Sequence, residues 1–279
     1  MGVKIITDST ADIPAARRAQ LDIETVPLTV RFGEREYKDG VDLTNAQFFR
    51  KLENSDPLPT TSQVNPEEFV TAFYPYTESG QEAVGIFLSS KLSGTFQSAE
   101  IAKNLLDAPN IYPVDSGSVT LGLAVLVFEA VKMSDAGYSA KQICEELAEM
   151  KKRVKVYAVV DTLKYLYMGG RLSATSALFG SLLHVKPIIT IQNGVLTPFD
   201  KKKGIRAAAQ RISEVMKADR PQPGSIVFGD SGAPEALECI RQEAAAVCDI
   251  SDSELVEIGA VVGTHAGPGC AAVAYIAQA

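Results

Sequence analysis

The spacing of short apolar runs along the first half of the chain restricts the fold most. Residues 3–7, 25–32, 84–88 and 111–114 each read as one strand, and amphipathic stretches separate them. Two of those stretches open with recognisable helix starts. Asn65-Pro66-Glu67-Glu68 places Asn at an N-cap and Pro in the first turn, and Ser139-Ala140-Lys141-Gln142 starts a helix running to about Met150. Strands alternating with helices form βαβ units and a mainly parallel sheet. After Lys151-Lys152-Arg153 the pattern changes. Residues 154–160 read as a strand, and 186–191 joins 195–199 through Gln192-Asn193-Gly194, whose Asn-Gly pair is a strong hairpin signal. Helices over 205–217 and 234–247 and strands near 226–228 and 255–262 complete the pattern. The expectation is an α/β chain in two parts: an N-terminal α/β domain with a mainly parallel sheet over residues 1–153, and a smaller α+β domain with an antiparallel hairpin over 154–279.

Composition narrows the partners. The 279 residues are 46% hydrophobic and 22% charged, an ordinary globular balance. Lys and Arg number 27 against 34 Asp and Glu, and a net charge of −7 argues against nucleic acid or an anionic membrane as principal partner. The richest apolar stretch, 121–131, is interrupted by Glu129 and falls short of the roughly 18 residues a spanning helix needs, so no stable membrane insertion is expected. The first residues show no basic region followed by an apolar stretch, and Ile6 stands where a myristoylation signal needs a hydroxyl, so a cytoplasmic location is expected. Cys144, Cys239, Cys248 and Cys270 form no CxxC pair, and only His184 and His265 remain to complete a metal site. Reduced structural thiols and no bound metal follow.

Polar clusters mark the candidate site. Asp8-Ser9-Thr10-Ala11-Asp12, Ser89 through Thr95, Asp115-Ser116-Gly117-Ser118 and Gly263 through Gly269 each follow an apolar run read as a strand, where open α/β sheets hold ligands. A fifth cluster, Thr60-Thr61-Ser62-Gln63, precedes a helix. One such cluster alone is explained by helix capping. Five together, rich in hydroxyls and free backbone N–H groups, point to an anion, either carboxylate or phosphate. The chain has no P-loop, no GxGxxG after the first strand, no GxSxG and no HExxH. His265 is read in a glycine-flanked turn beside the site, and His184, inside Leu182-Leu183-His184-Val185, as core or interface. On these residues alone two readings stand: a binding protein for an anionic ligand, or an enzyme acting on a phosphorylated small molecule.

The order of the motifs resembles one family. Asp8-Ser9 with Asp12, Thr61-Ser62-Gln63, Leu92-Ser93-Gly94-Thr95, Asp115-Ser116, Leu163 through Gly169-Gly170-Arg171-Leu172-Ser173, Lys186-Pro187-Ile188 and His265-Ala266-Gly267-Pro268-Gly269 span the chain. In these it resembles the DegV family, which includes the fatty-acid-binding subunits of bacterial fatty acid kinase. The resemblance implies a two-domain fold holding a long-chain fatty acid between and within the domains, with no further cofactor. It implies that Thr61 and Ser93 hydrogen-bond the carboxylate, with the Gly94 N–H and His265 adjacent. Ser62, Asp8, Ser9, Asp115, Ser116, Gly169, Gly170 and Arg171 are then supporting residues. It also implies a carrier and not an enzyme, presenting the carboxylate to a separate ATP-dependent fatty acid kinase that makes acyl phosphate for phospholipid synthesis. Leu and Phe residues of the apolar helices are the expected wall of the lipid site. Two positions depart from the family pattern. Val64 stands where proline is usual, and Lys203 where arginine is common, in the Lys201–Arg206 segment expected to dock the kinase through Lys203 and Arg206 at the pocket mouth.

Overall fold

The computed structural model describes residues 2–172 and 185–278, so Ser173 and His184 lie outside the described residues. The first half runs β1 (Lys4–Asp8), a 3-10 turn (Ser9–Ala11), α1 (Ala15–Gln20), β2 (Ile23–Val26), β3 (Thr29–Phe32), β4 (Arg35–Lys38) and α2 (Asn45–Glu53). It continues with β5 (Thr60–Ser62), α3 (Pro66–Ser79), β6 (Ala83–Phe87), α4 (Thr95–Leu105), β7 (Ile111–Asp115), α5 (Leu121–Asp135) and α6 (Ala140–Met150). The second half contains β8 (Val154–Val159), α7 (Lys164–Met168), β9 (Val185–Gln192), β10 (Val195–Lys203) and α8 (Ile205–Asp219). It ends with β11 (Val227–Asp230), α9 (Pro234–Ala245), β12 (Glu254–Glu257), α10 (Ala260–Ala266) and β13 (Ala271–Ile276).

Among the described residues three sheets form. β2-β1-β6-β7 is parallel throughout, as βαβ units require. β10-β9-β8-β13-β11-β12 is mixed, antiparallel except for the β11–β12 pair, and contains the hairpin of β9 and β10. β4-β3-β5 is a small antiparallel sheet. The capping boxes at Asn65 with Glu68 and at Ser139 with Gln142 start α3 and α6 as the sequence signals require.

Helix α5 explains its own composition. It lies between the two large sheets, against β1 and β6 on one side and β8, β11 and β13 on the other. Leu121, Leu123, Ala124, Leu126 and Val127 are fully buried. Covered on both sides, the helix's stretch from Leu121 to Phe128 has no solvent face and therefore reads as apolar all round. Outer faces complete two further cores: Phe48, Phe69, Phe73 and Phe87 beside the parallel sheet, and Ile212, Met216 and Ile240 of α8 and α9 on the six-stranded one.

Several expectations are corrected. The single strand over 25–32 is two strands in different sheets, because Pro27 between them has no N–H to give a ladder. The strand over 255–262 stops at Glu257. Ala260, Val261 and Val262 start α10 instead, since buried carboxylates from the first half take the N–H groups of Gly259 and Ala260. His265 therefore sits in the last turn of a helix and not in a loop. Lys201, Lys202 and Lys203 belong to β10, not to a turn. Among the described residues no helix is long and apolar enough to cross a membrane.

Candidate functional site

The intersheet layer that holds α5 opens, beside the start of that helix, into a cavity of about 380 Å³. This lies within the roughly 300–1,000 Å³ range of small-molecule sites. From the first half come segments that follow parallel strands: Thr10 after β1, Leu88, Leu92, Ser93 and Gly94 after β6, and Val119 and Thr120 before α5. The inner face of the six-stranded sheet supplies the opposite wall with Val156, Ala158, Ile189, Ile191, Leu196 and Ala272. Among the described residues no phenylalanine lines it and α5 does not, so of the wall expected from helical Leu and Phe only Leu166 of α7 is found there. Phe48, Phe69, Phe73 and Phe87 are used in the core outside the parallel sheet, and β8 and β9 deliver the aliphatic lining.

One region of this apolar cavity is polar. Thr61, Ser62, Ser93, Gly94, Arg171 and His265 all line it, so six of the expected site residues come together. Contacts tie them to one another. Thr61 Oγ1 stands 2.9 Å from His265 Nε2. A Cβ on Gly169 would overlap the His265 ring, so glycine at 169 is what allows the imidazole its place. The Arg171 guanidinium donates to the Gly169 carbonyl at 2.7 Å and to the Leu92 carbonyl at 3.3 and 3.4 Å, linking the segment after α7 to the Ser93 loop. Ser93 Oγ is 3.0 Å from Thr95 Oγ1 and accepts the Thr95 N–H, which fixes the hydroxyl at the start of α4. Gly94 leaves room for the Gln63 amide, which donates to Ser98 Oγ at 3.0 Å.

Charge is arranged asymmetrically around this region. Burial, reinforced by the neighbouring Arg171 cation, pushes the His265 imidazole down to about 4, so it is neutral at ordinary pH. Among the described residues its buried Nδ1 has no hydrogen-bond partner. The guanidinium of Arg171 thus stands as the fixed positive charge of the cavity lining.

The remaining expected residues stand elsewhere. Asp8 is buried and accepts from the Thr10 N–H and hydroxyl and from the Leu88 N–H, and burial raises its carboxyl to about 6. Ser9 Oγ accepts the Leu28 N–H at 3.1 Å. Asp115 accepts from the N–H groups of Ser90 and Gly117, and Ser116 closes a turn with Ser118. These four shape the loops that carry the cavity residues without lining it. Gly170 takes a left-handed turn with φ 69°. Lys203 and Arg206 are exposed and do not line the cavity. The β10 residue that does is Leu196, seven residues away, or about 23 Å along a strand. Sequence reasoning passed over Thr120 and the alanine-rich strand β13. Its one available signal was that residues 270–277 are uninterrupted by charge.

The comparisons agree over the full length. The sequence model of the family described as uncharacterised protein, DegV family, matches residues 2–278. A DegV domain-containing protein of Caldanaerobacter subterraneus subsp. tengcongensis is 37% identical, covering 98% of each chain. The solved structure of a DegV family protein from Thermus thermophilus, reported for its fatty acid binding, superposes with a TM-score of 0.90 at 29% identity over 100% of both chains. DegV of Bacillus subtilis, described as a fatty acid binding protein, superposes with a TM-score of 0.85 at 34% identity, again over 100% of both chains. With the motifs, the fold and the relatives in agreement from one end to the other, this chain belongs to the DegV family.

Proposed function

We propose that this protein binds a long-chain fatty acid in the intersheet cavity and presents its carboxylate to a partner, an ATP-dependent fatty acid kinase, for acyl-phosphate formation in phospholipid synthesis. The observation that carries the binding is an apolar cavity with its polar groups gathered around Thr61, Ser93, Gly94, His265 and Arg171. A carboxylate removed from water needs several donors, because an unpaired buried charge costs several kcal/mol. The hydroxyls of Thr61 and Ser93, the Gly94 N–H and the Arg171 charge provide them. An aliphatic tail meets Val, Ile and Leu side chains, and each buried methylene contributes about 0.8 kcal/mol, so roughly fourteen supply on the order of 10 kcal/mol before ordering costs. A phosphorylated small molecule is the poorer occupant, since most of that wall offers it no hydrogen bond. The fatty-acid binding described for the Thermus and Bacillus relatives supports the same assignment.

In this reading the chain is a carrier of two lobes, 1–153 and 154–279. The strands of the four-stranded parallel sheet all fall before residue 153 and those of the six-stranded sheet after it, and each lobe gives one side of the cavity. Asp8, Ser9, Asp115 and Ser116 support the loops, and the exposed Lys203 and Arg206 dock the kinase.

Mass spectrometry of lipid extracted from protein purified without added ligand tests the binding: a stoichiometric fatty acid is expected, and its absence refutes the assignment. Thr61→Val and Ser93→Ala should each weaken binding by about 1–3 kcal/mol, the usual loss for a hydrogen bond to a buried charge. For the kinase step, Lys203→Ala should leave extracted lipid unchanged and slow phosphorylation by a fatty acid kinase at low salt. A parental rate for Lys203→Ala removes this residue from the docking surface.

A further inference from the structure

The imidazole of the cavity is carried on a short helix, and short helices are placed by what holds their ends. α10 has seven residues, Ala260–Ala266, with His265 in its last turn and Val261, Val262 and Ala266 also lining the cavity. At its far end Ser231 Oγ donates to the Gly267 carbonyl at 2.8 Å, a contact within the second lobe. At its near end the partners are carboxylates of the first lobe. Gly259 N–H donates to Asp12 Oδ1 and Ala260 N–H to Asp39 Oδ1, both at 3.0 Å. Bonds from N–H to a carboxylate are among the stronger ones. Both side chains are buried, with Asp12 8% and Asp39 5% exposed.

The anchor is itself tightly determined. A Cβ on Gly259 would stand 2.8 Å from Asp12 Oδ1 and 3.4 Å from Asp39 Oδ1, so glycine is needed for the chain to pass between the two carboxylates. Thr120, which lines the cavity, donates its hydroxyl to Asp12 Oδ2 at 2.6 Å. Asp12 at φ 58° and Thr120 at φ 49° both occupy left-handed backbone, and for a β-branched residue that is a true outlier. Such conformations persist where surrounding structure over-determines them, and they cluster at functional sites. Neither aspartate lines the lipid cavity; both line a separate concavity.

We propose that Asp12 and Asp39 are positioning residues of the head-group region: acting through α10, they tie the second lobe to the first and set the His265 imidazole against Thr61. The helical rise puts His265 about 8 Å from the Ala260 anchor, so displacement of the near end reaches the imidazole with little loss. The inference rests on the fatty-acid reading for its binding consequence but not for its geometry.

The experiment uses the full chain, oleate as probe, oleyl alcohol as a probe lacking the carboxylate, and nitrogen-15 imidazole spectra recorded without ligand. With two histidines in the sequence, His184→Gln assigns the His265 signals. Asp39→Ala and Asp12→Ala should each raise the oleate Kd about tenfold and shift the His265 Nε2 signal. Asp39→Asn, whose amide oxygen still accepts the Ala260 N–H, should stay within about threefold of the parent. Gly259→Ala keeps both carboxylates and forces the anchor apart, so it should behave as Asp39→Ala does. It also decides the case if alanine at the buried aspartate prevents folding. Oleyl alcohol should bind the parent and all variants within about twofold of one another. Parental oleate affinity in Gly259→Ala, an unchanged imidazole spectrum, or an equal loss for oleyl alcohol overturns the proposal. If the parent itself does not bind oleate, the fatty-acid reading fails, while the ligand-free spectra still decide the positioning.

Discussion

Thr61 has one hydroxyl proton to give, and the state of His265 decides where it points. With Nε2 2.9 Å from Thr61 Oγ1 and Nδ1 unpartnered among the described residues, a proton on Nε2 makes the imidazole the donor and frees the Thr61 proton for an anion. A proton on Nδ1 would instead leave a buried N–H unmade, the costlier arrangement. The same burial gives a pH dependence. The unfolded imidazole titrates near 6.5 and the folded one near 4, so the unfolded state takes up the proton first; the stability is present above about 6.5 and is lost as pH falls toward 4. Asp8 opposes this, because its carboxyl is raised by burial from 3.8 to about 6, and its contribution is present below about 3.8 and lost as pH rises through 6. His265→Gln removes the first effect and leaves the second. Between pH 7 and 4 the variant should therefore lose about 1–3 kcal/mol less stability than the parent, read from urea midpoints at the two pH values. Equal losses would mean that the imidazole is not held neutral by its surroundings. The hydroxyls of this region were legible because Ser, Thr and Gly clusters stand out after apolar runs. The pairing of His265 with Thr61 was not, since it spans 204 positions and depends on Gly169 leaving room for the ring.

Elements with local signals were legible and those specified by distant partners were not. The capping boxes of α3 and α6 and the Asn-Gly turn at residues 193 and 194 act within a few residues, and each appears where the sequence places it. Strand β13 lacks such a signal. It is rich in alanine, fully buried, and becomes central only because β8 and β11 flank it on both edges. Helix α10 carries Val261 and Val262, which favour strands, yet Asp12 and Asp39 cap its start from the other lobe and override that preference. α5 is the reverse case, an apolar run whose burial between two sheets makes it the element on which both depend. Leu126 is fully buried on this helix, in the core cluster that also holds residues of both large sheets. Leu126→Ala should destabilise the protein by about 2–5 kcal/mol in urea unfolding, with the loss shared by both sheets in one transition. A loss confined to one of two separated transitions would show that the helix serves a single sheet.

The cavity takes one wall from the half of the chain with the parallel sheet and one from the half with the six-stranded sheet, so a fatty acid bound there as proposed would be part of the interface between them. Removing a fatty acid from such a position leaves apolar surface from β8, β9 and β13 facing the loops of the parallel sheet across a space of about 380 Å³. Helix α5 and the bonds of Asp12 and Asp39 to the start of α10 still join the lobes, so the fold should persist without lipid but with less stability. The size of the effect follows from mass action. A ligand that binds the native state alone, present at about a thousand times its dissociation constant, contributes about 4 kcal/mol. In a chain of this length that corresponds to a change on the order of 10 °C in the midpoint of thermal unfolding. Delipidated protein should therefore melt on the order of 10 °C below protein resupplied with a long-chain fatty acid, in one transition seen alike by far-ultraviolet circular dichroism and tyrosine fluorescence. Thr61→Val with Ser93→Ala should shrink that gap, because weaker binding lowers the ligand's contribution while the apolar walls remain. If resupplied and delipidated protein melt together, the cavity does not hold the lipid. If lipid moves only one of two transitions, the ligand belongs to a single lobe.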